Sequence, residues 1–190
     1  MVAGGGPLPQ PERVVMGDWK QKVLILEGDI TEEACDVIVN AANEDLEPGG
    51  GVCGAIHRAA GPGLARECRL IGGCPTGEAV MTRAHDLPCR RVIHTPGPIY
   101  GGGAGDLEAD LLASCYRESL QLAVEEGFTT IAFPSISTGI YGYPIAEACR
   151  IALATVREGL QEFPELVEVR LVCFSAGDLE EYERALDEMD

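Results

Sequence analysis

A three-layer α/β/α fold around a mixed, mostly parallel sheet is predicted from three observations. Short apolar runs rich in Val and Ile alternate along the chain with longer stretches of helical periodicity. Two of those runs, at 37–40 and 129–134, lead through glycine- or serine-bearing loops into helices. The helices themselves open on start signals: Pro62, Pro144, and the acidic pair Asp106 and Glu108.

The first eleven residues are rich in Gly and Pro and are expected to form a disordered tail. They have neither the basic start nor the apolar segment of a secretion signal, so a cytoplasmic home is expected. Residues 12–190 are expected to make a single domain, since about 100–200 residues per domain is usual. Strands are predicted at 13–16 and 22–27. Gly28-Asp29-Ile30-Thr31 follows, with Thr31 expected to cap a short turn over 32–34. Asp29, at a strand end, has two readings: an acceptor for a ligand's amine or hydroxyl, or a turn-capping residue.

The run at 37–40 reads as a buried strand. Beyond it come Asn40 and Asn43, then Pro48, Gly49, Gly50 and Gly51, then a helix over 52–60. Glycines before a helix let backbone N–H groups and the positive end of the helix dipole approach a ligand closely. Such an arrangement suits a phosphate or pyrophosphate, although a glycine-rich turn can equally just reverse the chain. Asparagine both donates and accepts, as sugar hydroxyls require. Gly61-Pro62-Gly63 ends that helix and a second runs to Gly72.

Strands are predicted at 79–82 and 91–95, with His94 a core or edge residue rather than a catalyst. Gly101-Gly-Gly-Ala-Gly105 lacks the Gly-Lys-Ser/Thr of a phosphate loop, and the only lysines are Lys20 and Lys22, so a P-loop nucleotidase is excluded. A helix with a broad apolar face is predicted over 107–126. The strand at 129–134 runs into Ser135-Ile-Ser137-Thr138-Gly139-Ile140-Tyr141-Gly-Tyr-Pro144, a second strand–loop–helix junction. A helix to about residue 162, a strand at 168–174 and a helix at 179–188 complete the chain. Ligands in such sheets bind beyond the carboxyl ends of strands, where both loops, Asp29 and Phe174 are expected to lie.

Composition narrows the function. A net charge of −17 leaves no basic stripe for nucleic acid, and no apolar stretch approaches the ~18 residues of a membrane span. One small anion is not excluded, because surface charges are screened over about 8 Å while helix-start N–H groups act locally. The eight cysteines, at 35, 53, 68, 74, 89, 115, 149 and 173, include no Cys-x-x-Cys pair, and the three histidines show no ligand spacing with them. Free buried thiols and no metal or cofactor are expected.

Taken together, Gly28-Asp-Ile-Thr31, Ile38-Val-Asn-Ala-Ala-Asn43, Gly49-Gly-Gly-Val52, Ile56-His-Arg-Ala-Ala-Gly-Pro62, Thr76-Gly-Glu-Ala79, Val92-Ile-His-Thr95 and Phe133-Pro-Ser-Ile-Ser-Thr-Gly-Ile-Tyr-Gly-Tyr-Pro144 resemble the macro domain family, and its MacroD-type branch most. The match spans about residues 22–186 in consistent order. The resemblance implies an ADP-ribose cleft, and an enzyme that removes ADP-ribose from acidic side chains of proteins or acetyl from O-acetyl-ADP-ribose. The implied partners are ADP-ribose and ADP-ribosylated proteins, and the chain is expected to act as a monomer.

By position, the resemblance implies that Asp29 binds the adenine amine, with Ile30 lining that pocket and Phe174 packing on the base. The N–H groups of Gly49, Gly50, Gly51 and Val52, and of Ser137, Thr138, Gly139, Ile140 and Tyr141, would grip the diphosphate. Asn43 would bind the distal ribose, flanked by Tyr141, with Asn40 bracing the loop. One position departs from the pattern: MacroD-type hydrolases carry an aspartate, linked to positioning the attacking water, where this chain has Cys53. A thiol is a poor substitute as an acceptor, which makes a non-catalytic ADP-ribose reader the alternative to a slower hydrolase. Cys53 and His57, four apart on one helix face, form a further candidate pair for nucleophilic catalysis.

Overall fold

The computed structural model describes residues 19–102 and 106–189. The expected tail, the strand predicted at 13–16, and part of the loop at 101–105 lie outside the described residues. Strand β1 is Val23–Glu27, followed by a 3-10 turn at Ile30–Glu32 and strand β2 at Val37–Ala42. Helices α1 (Gly51–Ala60) and α2 (Pro62–Ile71) precede β3 (Val80–Arg83) and β4 (Arg91–Pro96). Then come α3 (Leu107–Glu125), β5 (Thr130–Pro134), α4 (Ile145–Glu162), β6 (Glu168–Cys173) and α5 (Ala176–Asp187).

The sheet order is β1-β6-β5-β2-β4-β3. Every pairing is parallel except β3 with β4, so the sheet is mixed and mostly parallel as predicted. Strand side chains alternate between two cores. Val37, Val39, Ile131, Phe133, Val169 and Leu171 pack with residues of α3, α4 and α5. Ile38, Val92, Ala132 and Val172 point the other way and pack with Ile56 of α1 and Leu64 and Cys68 of α2. Each fully buried aliphatic or aromatic side chain contributes about 1.5–3 kcal/mol, so a one-residue slip, which swaps the faces, is strongly disfavoured.

Asp36 fixes the register of the two central strands before they reach the cleft. Its Oδ2 accepts from the N–H groups of Thr129 and Thr130, each at 3.1 Å, and its own N–H donates to Thr130 Oγ1 at 2.8 Å. Burial opposes ionisation of this carboxyl, but those hydrogen bonds and Arg90 hold it below the usual carboxylate range. Several predicted boundaries move by one to three residues, and two of them bear on the site. Helix α5 starts at Ala176 rather than 179, because Ser175 Oγ accepts from the Asp178 N–H at 3.2 Å. Strand β6 stops at Cys173, leaving Phe174 outside the sheet.

Candidate functional site

The carboxyl ends of β1, β2, β5 and β6 open on one cleft of about 820 Å³. Gly49, Gly50, Gly51, Val52 and Cys53 line one wall, and Ser137, Thr138, Gly139, Ile140 and Tyr141 another. The loops nearly meet, since a Cβ at Gly50 would lie 2.8 Å from Ile140 Cδ1. Among the described residues, no N–H of 49–52 or of 137–141 donates a hydrogen bond. Helix α1 has no side-chain cap at Gly50, so its first N–H groups stay available for a ligand. Gly51 takes φ +56°, which favours glycine.

The second loop is strained to fit. Ser137 has φ +67°, a sparsely populated conformation for a residue with a Cβ, and its buried Oγ has no hydrogen-bond partner among the described residues. Gly97 makes room for it, as a Cβ there would lie 2.2 Å from Ser137 Oγ and 2.6 Å from Ile136 Cγ2.

Asp29, Ile30 and Phe174 lie in the same cleft. Asp29, not Thr31, is the turn cap: its Oδ1 accepts from the Thr31 N–H at 2.9 Å and from Thr31 Oγ1 at 2.7 Å. Its Oδ2 takes no part in either bond. Phe174 is 89% exposed, far from the buried strand residue that its apolar neighbours in sequence suggest. An exposed ring of that size on a cleft wall is a surface for a flat ligand.

The two asparagines have different duties. Asn43 lines the cleft, and its side chain braces the loop: Nδ2 donates to Glu47 O at 2.8 Å and Oδ1 accepts from the Glu47 N–H at 3.0 Å. One amide proton and one lone pair remain for a ligand. Asn40 is fully buried beneath the site and does not line the cleft. Its Nδ2 reaches His94 Nδ1 at 3.1 Å and Cys53 Sγ at 3.7 Å. Because Nδ2 can only donate, His94 Nδ1 is the acceptor, and Nε2–H then donates to Thr82 Oγ1 at 2.9 Å. Burial drives the His94 pKa down to about 3, so it is a neutral strut in the core.

Cys53 Sγ also contacts Glu47 O at 3.7 Å, and neither of its contacts is to His57. His57 is buried beside the site rather than in the cleft, and neither ring nitrogen has a partner among the described residues. Burial pushes its pKa down, which disfavours the imidazolium that would activate a thiol. The geometry therefore does not join Cys53 and His57 as a nucleophilic pair. All eight cysteines are free and buried, as the sequence led one to expect.

The Macro domain profile matches residues 39–152, which contain both loops. The chain belongs to the macro domain family. It is 49% identical over 173 residues to the O-acetyl-ADP-ribose deacetylase of Cronobacter sakazakii, covering 89% of this chain and 96% of that protein. It is 48% identical over 180 residues to the ADP-ribose glycohydrolase MACROD2 of Xenopus laevis, covering 94% of this chain and 43% of that longer protein. The crystal structure of the Trypanosoma brucei macrodomain in complex with ADP-ribose superposes with a TM-score of 0.84 at 41% identity, over 90% of this chain and 72% of that one. These relatives place the chain close to the MacroD-type branch.

Several cleft residues of this macro domain carry no sequence signal of their own. Arg58 lines the cleft from α1, where a single arginine on an amphipathic helix reads as a solvated face. Gly97 and Asp178 also line it. The Thr95-Pro-Gly97-Pro turn could have marked the former; nothing distinguished Asp178 from the other acids of α5. No helix among the described residues is long and apolar enough to cross a membrane.

Proposed function

We propose that this macro domain binds ADP-ribose and hydrolyses ADP-ribosyl esters, namely ADP-ribose on glutamate or aspartate of proteins and O-acetyl-ADP-ribose. The observation that carries the reading is the facing pair of loops, whose undonated N–H groups line a single cleft. Backbone N–H groups at a helix start suit a diphosphate at whatever net charge the rest of the chain carries. Asp29 and Phe174 suit the adenine, one as an acceptor for its amine and the other as a stacking face. Asn43, with one donor and one acceptor still free, suits the distal ribose.

Hydrolysis then needs water beside the ester. Water adds its oxygen across the bond, and the carboxylic acid and the sugar hydroxyl separate with one proton each. Asn43 holds the sugar while the glycine loop fixes the diphosphate, so catalysis is largely positioning. Cys53 contributes packing and a thiol hydrogen bond at the position where the branch's carboxylate would stand. A non-catalytic reader is the second reading, and Cys53 is the observation that favours it.

Calorimetric titration with ADP-ribose, followed by incubation with mono-ADP-ribosylated protein and with O-acetyl-ADP-ribose, tests both. Binding with release of free ADP-ribose or acetate is expected. Binding without product over hours leaves only the reader, and absence of binding removes both.

A further inference from the structure

A second cavity of about 380 Å³ runs along the flank of α1, between Pro48, Gly54, His57 and the start of α2 at Pro62 and Ala65. Gly49 and Arg58 line both this groove and the cleft, so the two are neighbours. They come together at a defined place. A Cβ on Gly49 would lie 3.4 Å from Asn43 Nδ2 and 3.8 Å from Cys53 Sγ. The groove thus lies next to Asn43, which holds the distal ribose in the function proposed above, and to Cys53 beside it.

The groove has unmet polar capacity. His57 is 7% exposed, with neither ring nitrogen hydrogen-bonded among the described residues, and a buried donor and acceptor left unpaired are costly. Arg58 is exposed and has no carboxylate partner among the described residues. The segment is also an electrostatic exception. Residues 51–71 carry Arg58, Arg66 and Arg69 against Glu67 alone, in a chain of net charge −17. Nearby negative charge is partly committed: Glu47 pairs with Arg69 at 3.2 Å, and Glu67 with His85 and Arg83. Asp86 remains, close to Gly61.

We propose that this groove is the docking site for the polypeptide on which the ADP-ribose is carried, and that it selects an acidic segment. The acyl group on the distal ribose must leave the cleft somewhere, and the groove lies next to that point. Arg58 then takes a carboxylate flanking the modified residue through its planar fork of donors. His57 pairs with the peptide main chain, and Pro48, Pro62 and Ala65 supply apolar contact. This inference rests on the ADP-ribose reading and adds the identity of the partner.

The test uses the full chain and three probes: free ADP-ribose, ADP-ribose linked by an amide to a peptide with glutamates flanking the attachment, and the same peptide with glutamines there. The acidic conjugate is expected to bind about tenfold tighter than the neutral one, as a charge-assisted pair warrants. Arg58→Gln and Ala65→Glu are expected to bring that ratio close to one, and Ala65→Glu, outside the cleft, to leave affinity for free ADP-ribose unchanged. No preference in the wild-type protein, a preference that survives both variants, or an Arg58→Gln loss equal for all three probes would overturn the proposal. If even free ADP-ribose does not bind, the ADP-ribose reading itself has failed; if it binds without preference, only the groove has.

Discussion

Replacing Gly54 with alanine sets two physical effects against each other at one atom. Gly54 lies within α1, where alanine is favoured over glycine by about 1 kcal/mol. A Cβ there, however, would lie 2.4 Å from the carbonyl oxygen of Gly49 and 3.0 Å from Arg58 Nη1. The arginine tip can swing away; the carbonyl is backbone. It would have to retreat by about 0.6 Å merely to reach 3.0 Å, the closest distance that real Cβ atoms keep. Overpacking of this kind costs about 1–3 kcal/mol, so the clash outweighs the propensity gain and Gly54→Ala should lower stability by up to about 2 kcal/mol. Because Gly49 belongs to the loop proposed to hold the diphosphate, affinity for ADP-ribose should fall by at least about tenfold. Gly139→Ala is the control for stability alone: no atom lies within 4 Å of a Cβ there, and it should leave the denaturation midpoint unchanged. Urea denaturation and calorimetry read the two quantities. A Gly54→Ala protein that is more stable than wild type and binds ADP-ribose equally well would refute the steric argument.

Phe174→Ala should leave stability within about 0.5 kcal/mol, since the ring is exposed, while weakening ADP-ribose binding by about fivefold or more. Equal affinity in a titration would take the ring out of the site. Cys53→Ala should bind ADP-ribose as wild type does and keep its turnover, because the thiol has no contact with His57, whereas Cys53→Asp should raise ester hydrolysis in a product assay. Acidification from pH 7 should destabilise the fold through its buried imidazoles. His94 has its pKa pushed down to about 3, so the unfolded chain binds a proton that the folded one refuses once the pH falls below about 6.5. At roughly 1.4 kcal/mol per pH unit this is about 2 kcal/mol lost between pH 7 and pH 5, with His57 shifted in the same direction. Denaturation at the two pH values checks it; equal stability would mean that His94 is not held neutral.

The sheet and its helices were legible because buried strands and amphipathic helices write their period into the sequence. Ile38 and Val37 pointing to opposite cores is such a case. The loops of the site were legible for a different reason: three glycines before a helix, and Ser137 to Tyr141 after a buried strand, are backbone features visible as composition. What stayed hidden were duties set by tertiary contact. Nothing in Asn40-Ala-Ala-Asn43 says that the first amide will be buried against His94 and the second will clasp Glu47. The strand at 168–174 hides the fact that its last residue escapes the sheet, because Phe174 looks as apolar as its buried neighbours. Cys53 and His57 have the right helical spacing for a pair, yet their polar atoms are directed to different surroundings. Spacing fixes a shared helix face and not a hydrogen bond.

Crystals of this chain grown with ADP-ribose decide whether both loops hold one diphosphate. The diphosphate is expected within hydrogen-bond distance of N–H groups from both 49–52 and 137–141, with the base against Phe174 and the distal ribose beside Asn43. A nucleotide held by only one of the two loops, or bound outside the cleft, would contradict that expectation.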